Sequence, residues 1–460
     1  MTLGLLLALG CSHPRALPAA ESDPTLSGLR ASIEASSDDA WQRLAYLCDT
    51  IGHRHSGSSS LEESTRWAEA ELQADGLRAW REAVQVPVWR RGEASLRIVR
   101  VEPSSSQGGH AQTPPDVLPV LALGGSVAAR GIEAAVIVLG SFEELGPEVA
   151  GKIVLFEHPM RVTDPAIDGY GEAAAFRSRG AIEAAKHGAV AVLVRSVTTR
   201  SLATPHTGAM GYDDAVPRIP AAAVSTEAAS WLRRQGERGV SVTVRLDLGT
   251  TTEPDAESHN VVAELPGRGP GVVVIGAHID SWDVGQGAHD DGAGVVEVME
   301  AMRHLKRVGA TPEATIRAVL FTNEEFGLRG GRNYADTHGA EPHWVAMETD
   351  LGGGAPEAFS ATGSPEALKW LQGRLLPLGL EVVREGGGAD IGPLGERGVL
   401  VAGLLPDDSH YFDVHHTEAD TIDKVDPDAL RTGVWAVAAF AWLTASASAG
   451  PPPGKVSAAP

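Results

Sequence analysis

Apolar runs that stop abruptly at acidic or histidine-bearing clusters set the framework of this chain. Val272-Val273-Val274-Ile275-Gly276-Ala277 ends at His278, the continuous β-branched pattern of a strand buried on both faces. Gly287-Ala288-His289-Asp290-Asp291-Gly292 follows, and Val295, Val298, Met299, Met302 and Leu305 then recur at helical spacing. Residues 315–321, 344–347 and 399–405 read as further buried strands, with acids or histidines soon after each. Asp426 with Pro427 opens a closing helix that carries Leu430, Val434, Val437 and Ala441. Strands alternating with helices predict an α/β fold, with a mixed, mostly parallel sheet flanked by helices.

Upstream, residues 38–47 read as helix and 51–58 as a loop in which His53 and His55 are solvated or hydrogen-bonded. Ser60 with Glu63 forms a capping box for a helix carrying Leu61, Trp67, Ala68 and Leu72. A strand-like pattern runs from 83 to 101, and residues 103–115 form a Ser/Gln/Gly/Pro boundary. Short strand patterns at 134–139, 152–156, 189–194, 221–224 and 240–246, with helices at 172–186 and 226–235, predict a compact β-rich insert. The expected organisation is a leader at 1–11, a tether at 12–25, a main domain in two parts at 26–112 and 251–447, an insert at 113–250 and a disordered tail at 448–460.

Composition narrows the partners. Sixty acidic residues against 38 basic give a formal charge of -22, which repels phosphate backbones and anionic membrane surfaces and argues against a nucleic-acid partner. Residues 1–10 are apolar and end at Cys11, so the chain is expected to be exported to the cell envelope or beyond, with Cys11 a candidate lipid anchor. Ala8-Leu9-Gly10-Cys11 matches a lipobox loosely, and no Lys or Arg precedes the apolar run. No other run approaches the ~20 apolar residues of a membrane span. Cys48 is left without a disulfide partner.

The strand ends and the turn after the first of them offer His278, Asp290, Glu325, Asp350 and His416. Open α/β sheets bind ligands at the carboxyl ends of their strands. Two imidazoles and three carboxylates exceed what one zinc takes and suit two divalent ions sharing a carboxylate. A hydrolase also needs a base that is not a ligand. Glu324 fits that role, because neighbours in extended chain point opposite ways. Asp280 can accept the other N–H of His278 and fix its tautomer.

His278-x-Asp280, Asp290-Asp291-Gly292, Asn323-Glu324-Glu325, Asp350 and His416-Thr417-x-x-Asp420-Thr421 together resemble the co-catalytic zinc aminopeptidase family. Ser281-Trp282-Asp283-Val284-Gly285-Gln286-Gly287 is similar to its carboxypeptidase Q subgroup and bacterial relatives, and the similarity runs from about residue 36 to 445. The resemblance implies a zinc-exopeptidase-like fold with a protease-associated-like insert. It implies two Zn2+ per chain, one held by His278, Asp290 and Asp350 and the other by Asp290, Glu325 and His416. Asp290 would bridge, Asp280 would support His278, and a cis peptide would follow Asp290. It selects His416 over His289, His410 and His415, leaving His289 to bond a substrate or loop carbonyl, and it alone implies a homodimer. The expected reaction is hydrolysis of small unblocked peptides, as an aminopeptidase or dipeptidase, by a water shared between the ions and deprotonated by Glu324. The alternatives are a carboxypeptidase or amidohydrolase for acidic substrates, and a non-catalytic binding module. No substrate contact is assigned: Arg329 and Arg332 read as solvent-facing, and Tyr411 and Asp390 stay open.

Overall fold

The computed structural model describes residues 23–36, 38–102, 116–163, 167–200, 202–384 and 386–452. The expected leader, nearly all of the tether, the 103–115 boundary and most of the tail lie outside them. Two eight-stranded sheets organise the chain. The first has the order Arg78–Arg90, Thr251–Leu265, Thr315–Phe321, Val272–His278, His343–Glu348, Leu400–Pro406, Pro356–Thr362, Glu381–Arg384. Its four central strands, Thr315–Phe321 to Leu400–Pro406, run parallel, and antiparallel pairings lie on either side of them. All seven residues of Val272–His278 are buried, as the unbroken apolar run requires.

The helices Ala293–Arg307 and Pro427–Ala445 cover one face, where Val295, Met299, Met302, Val434 and Phe440 join Val273, Ile275 and Met347 in the largest core cluster. Tyr334 of the helix Arg329–His338 packs on the other face with Val274, Phe321 and Ala346. The central strands are therefore fixed on both faces, and only their ends are free to carry chemistry.

The second sheet has the order Val117–Leu118, Ala94–Glu102, Ser241–Leu248, Ala129–Leu139, Ile153–Phe156, Ala191–Arg195, Ala221–Val224, Val120–Ala122. It packs with the helices Ile167–Lys186 and Thr226–Glu237 around its own cores. Ala94–Glu102 pairs with Ser241–Leu248, so this sheet takes in a strand that precedes residue 113. The strand-like stretch 83–101 is cut between two sheets at Arg91-Gly92-Glu93. Gly92, at φ +63°, lies against the returning chain, where a Cβ would meet the Gly249 carbonyl oxygen at 2.4 Å.

Two local expectations change. Ser58, not Ser60, caps the helix Ser59–Ala74, its Oγ accepting from the Leu61 N–H at 3.1 Å. The helix Pro24–Glu34, capped by Asp23, begins inside the expected tether and buries Leu26, Leu29 and Ile33. Ordinary strand signals do not mark Thr251–Leu265 or Pro356–Thr362. The first is held by twelve registered pairs with Arg78–Arg90 and the second by pairing with Leu400–Pro406.

Candidate metal centre

Parallel order brings the carboxyl ends of the four central strands to one edge. His278 ends its strand, Asp350 lies two residues past His343–Glu348, and Glu324 and Glu325 follow Thr315–Phe321. Asp290 sits in the turn before Ala293–Arg307, and His416 follows the short helix Tyr411–Val414. All five candidate ligands converge. His278 Nε2 is 3.2 Å from Asp290 Oδ1 and 3.1 Å from Asp350 Oδ1. His416 Nε2 is 3.2 Å from Asp290 Oδ2 and 3.0 Å from Glu325 Oε2. Asp290 thus faces one histidine with each oxygen.

These separations fit the donors of a metal ion, since two donors each ~2.0–2.1 Å from one zinc in tetrahedral array stand ~3.3 Å apart. Asp290 Oδ2 and Glu325 Oε1 are buried without a hydrogen-bond partner. With His416 they line a small pocket of about 10 Å³, the size of a single ion or water. His415 is a further donor in the neighbourhood, its Nε2 3.7 Å from Asp290 Oδ2. It stacks face to face on His416, ring centroids 3.5 Å apart, and lies farther from Asp290 than His416 does.

A surrounding layer aims these groups. The His278 Nδ1–H donates to the Asp280 carbonyl at 3.0 Å, whereas the Asp280 carboxylate is 3.8 Å away. That carboxylate instead accepts the Glu324 N–H at 2.9 Å, so Asp280 fixes the tautomer through its backbone and clamps the Glu324 turn through its side chain. The turn begins at Asn323, φ +64°, so Glu324 and Glu325 diverge on a turn and not on extended chain. The Nδ1–H of His416 donates to the Thr207 carbonyl at 3.2 Å, a contact supplied by the second unit. Asp420 accepts from the N–H groups of His289 and Asp290, and the Asp290–Asp291 peptide is cis. His289 bonds the Lys424 carbonyl through Nε2 and the Gly353 N–H through Nδ1, which settles it as a loop contact.

Charge is strongly redistributed. Burial opposes protonation of His278 and His416, but neighbouring carboxylates outweigh it and raise both well above the usual histidine range. Burial would raise Asp290 too, yet the close approach of both histidines drives it well below the ordinary carboxylate range. Glu325 is pushed up to about 7 by burial and by Asp290. Burial, reinforced by Asp350, lifts Glu324 well above a normal glutamate. A divalent ion bound by these groups would compete with their protons, so its uptake would release them.

The centre opens into a cleft of about 430 Å³ lined by Asp290, Glu324, Glu325, Asp350, Tyr411 and His416. A sequence model of peptidase family M28 matches residues 260–441. Carboxypeptidase Q of Xenopus laevis is 38% identical over 417 residues, 87% of this chain and 85% of that protein. The chain belongs to peptidase family M28. Carboxypeptidase Q of Homo sapiens is also 38% identical, over 87% of this chain and 84% of its own. An M28 peptidase precursor from Shewanella amazonensis SB2B superposes with a TM-score of 0.86 at 36% identity, over 93% of this chain and 98% of that one. A zinc aminopeptidase from Bacillus subtilis shares the fold, at a TM-score of 0.65 and 20% identity over 88% of this chain and 94% of its own. No helix among the described residues is long and apolar enough to cross a membrane.

Other residues of this M28 chain escaped the sequence reading. Arg54 is fully buried behind the centre and donates to the carbonyls of Gly52, Ile279, Gln286 and Gly287. His55 is not solvated. It is buried against Trp282, ring centroids 5.2 Å apart, and burial lowers it to about 4, while His53 is exposed. Arg177 and Tyr170, from the second unit, line the cleft, and Arg332 lines it while staying exposed. Asp390 is buried under Gly331, whose N–H it accepts, and Arg329 is exposed. Nothing local in the sequence marks Arg177, because its position follows from how the second unit sits over the first.

Proposed function

We propose that this chain is a two-zinc exopeptidase for small unblocked peptides, with Glu324 as general base. The observation that carries the reading is the pairing of two donor groups through Asp290, with Glu324 beside them on the same small cleft. His278, Asp290 and Asp350 would hold one zinc, and Asp290, Glu325 and His416 the other. Zinc bound there would polarise the scissile carbonyl and bring a water's pKa near neutral.

The chain's own groups supply the rest. Glu324 is half-buried, and its raised proton affinity suits it to take a proton from the attacking water and pass it to the departing amine. Asp280 holds the Glu324 backbone in place, and the carbonyls of Asp280 and Thr207 orient the two imidazoles. A cleft of about 430 Å³ suits a short peptide better than a folded protein. Export through the apolar start, an anchor at Cys11, a homodimer and a protease-associated-like role for the second unit belong to the same reading.

Glu324→Gln tests it. Zinc content should be kept while kcat falls by about 10²–10⁴-fold on a dipeptide. Turnover within a few-fold of the unaltered protein would refute the assignment.

A further inference from the structure

Several other arginines among the described residues have a carboxylate or a set of carbonyls as partners. Arg91 pairs with Asp283, Arg195 with Glu157, Arg303 with Asp39 and Arg317 with Glu264, while Arg54 is saturated by carbonyls. Arg177 is different. It lines the cleft, no carboxylate among the described residues pairs with it, and Nη1 reaches the Thr207 carbonyl at 3.4 Å. Arg177 is half-buried, and a guanidinium that faces a cleft without a carboxylate partner presents a planar fork of donors matched to one.

Its surroundings hold it ready. Nη2 donates to the Tyr170 hydroxyl at 2.8 Å, and the guanidinium lies 5.4 Å from the Tyr170 ring centroid. It crosses Gly208, where a Cβ would meet its Cζ at 2.4 Å, so the glycine leaves the room it occupies. Nη1 is 3.4 Å from His416 Nδ1, on the edge of that ring opposite the Nε2 that faces Asp290 and Glu325. The cation therefore stands one imidazole away from where a scissile carbonyl would be held. One extended residue spans ~3.5 Å, so the carboxylate of the residue on the leaving side of the bond would remain within the same cleft as Arg177.

We propose that Arg177, delivered by the helix Ile167–Lys186, binds the terminal carboxylate of a dipeptide whose peptide bond lies at the metal centre. This rests on the two-zinc peptidase reading. It gives the second unit a direct part in substrate choice: the first unit supplies the metal donors and the base, and the second supplies the cation that measures the distance to a free C-terminus. Arg332, the other cleft arginine without a carboxylate partner, is exposed and makes one bond to the Gly327 carbonyl, so water screens it.

The experiment uses the full zinc-loaded chain with Leu-Ala, Leu-Ala amide and leucine p-nitroanilide. In the unaltered protein, kcat/KM for Leu-Ala should exceed that for its amide by about 10- to 100-fold, the range of a charge-assisted hydrogen bond. Arg177→Met should collapse that ratio towards one, and Arg177→Lys should retain part of it, whatever either does to turnover common to both substrates. An unchanged ratio in Arg177→Met would overturn the proposal and leave Arg177 a support for the Thr207–His416 contact. So would an unaltered protein that prefers the amide, or a ratio that falls in Arg332→Met instead. If the zinc-loaded protein cleaves none of the three substrates, the peptidase reading fails first and this inference falls with it. Cleavage of anilide and amide without a carboxylate preference removes the inference alone.

Discussion

Arg54→Met should destabilise the protein severely and weaken metal binding together, although Arg54 is not a candidate ligand. Its side chain is fully buried and makes four bonds, to the carbonyls of Ile279, Gln286 and Gly287, each at 2.8 Å, and of Gly52 at 3.0 Å. Three of those carbonyls belong to the loop between His278 and Asp290. Bonds from a charged donor contribute about 1.5–3 kcal/mol each, so four come to roughly 6–12 kcal/mol gross. Removing a buried cation returns several kcal/mol of desolvation, and methionine fills most of the space, which leaves a net loss of about 3–5 kcal/mol. Urea unfolding of the chelator-treated protein would read the loss, and zinc titration would read the loosened loop. A change below about 1 kcal/mol with unaltered zinc affinity would refute the reasoning.

Glu297 offers a test of pH linkage. Its Oε2 accepts the Thr349 hydroxyl at 3.0 Å, and burial raises its carboxyl from 4.5 to about 8. The folded state keeps this proton where the unfolded chain has lost it, so the contribution is full below about 4.5 and is lost as pH rises through about 8. Glu297→Gln should therefore flatten a decline approaching 1.4 kcal/mol per pH unit across that window, read from urea midpoints; an identical slope in the variant would contradict it. Gly285→Ala should cost about 1–3 kcal/mol. Gly285 has φ +69°, and a Cβ there would lie 2.5 Å from the Thr417 carbonyl oxygen and 2.9 Å from that of Asp420. Zinc affinity should fall with the melting temperature, and a variant that keeps both would show that this loop yields freely.

The sequence revealed the centre where chemistry and strand geometry coincide. A strand buried on both faces must be apolar throughout, so the polar residue that ends Val272–His278 stands out, and so do the acids after Thr315–Phe321. Contacts made by the backbone were not legible. Nothing in the string distinguishes the Asp280 carbonyl from its carboxylate as the partner of His278, or points to the Thr207 carbonyl behind His416. Strands defined by pairing alone were also hidden. Thr251–Leu265 opens with polar and acidic residues and is secured by its register against Arg78–Arg90, with Glu264 pairing to Arg78. His55 misled for a related reason, since Gly and Ser around it suggest a solvated loop while distant Trp89, Trp282 and Phe326 enclose it. Arg177 is the extreme case, because its place depends on the arrangement of two separately cored units.

The most direct test of the two-metal reading is the zinc stoichiometry of the chelator-stripped protein after re-equilibration at neutral pH, measured by elemental analysis. Two zinc ions per chain are predicted, taken up with release of protons. Saturation at one ion, or uptake without proton release, would contradict a centre in which Asp290 serves two ions at once.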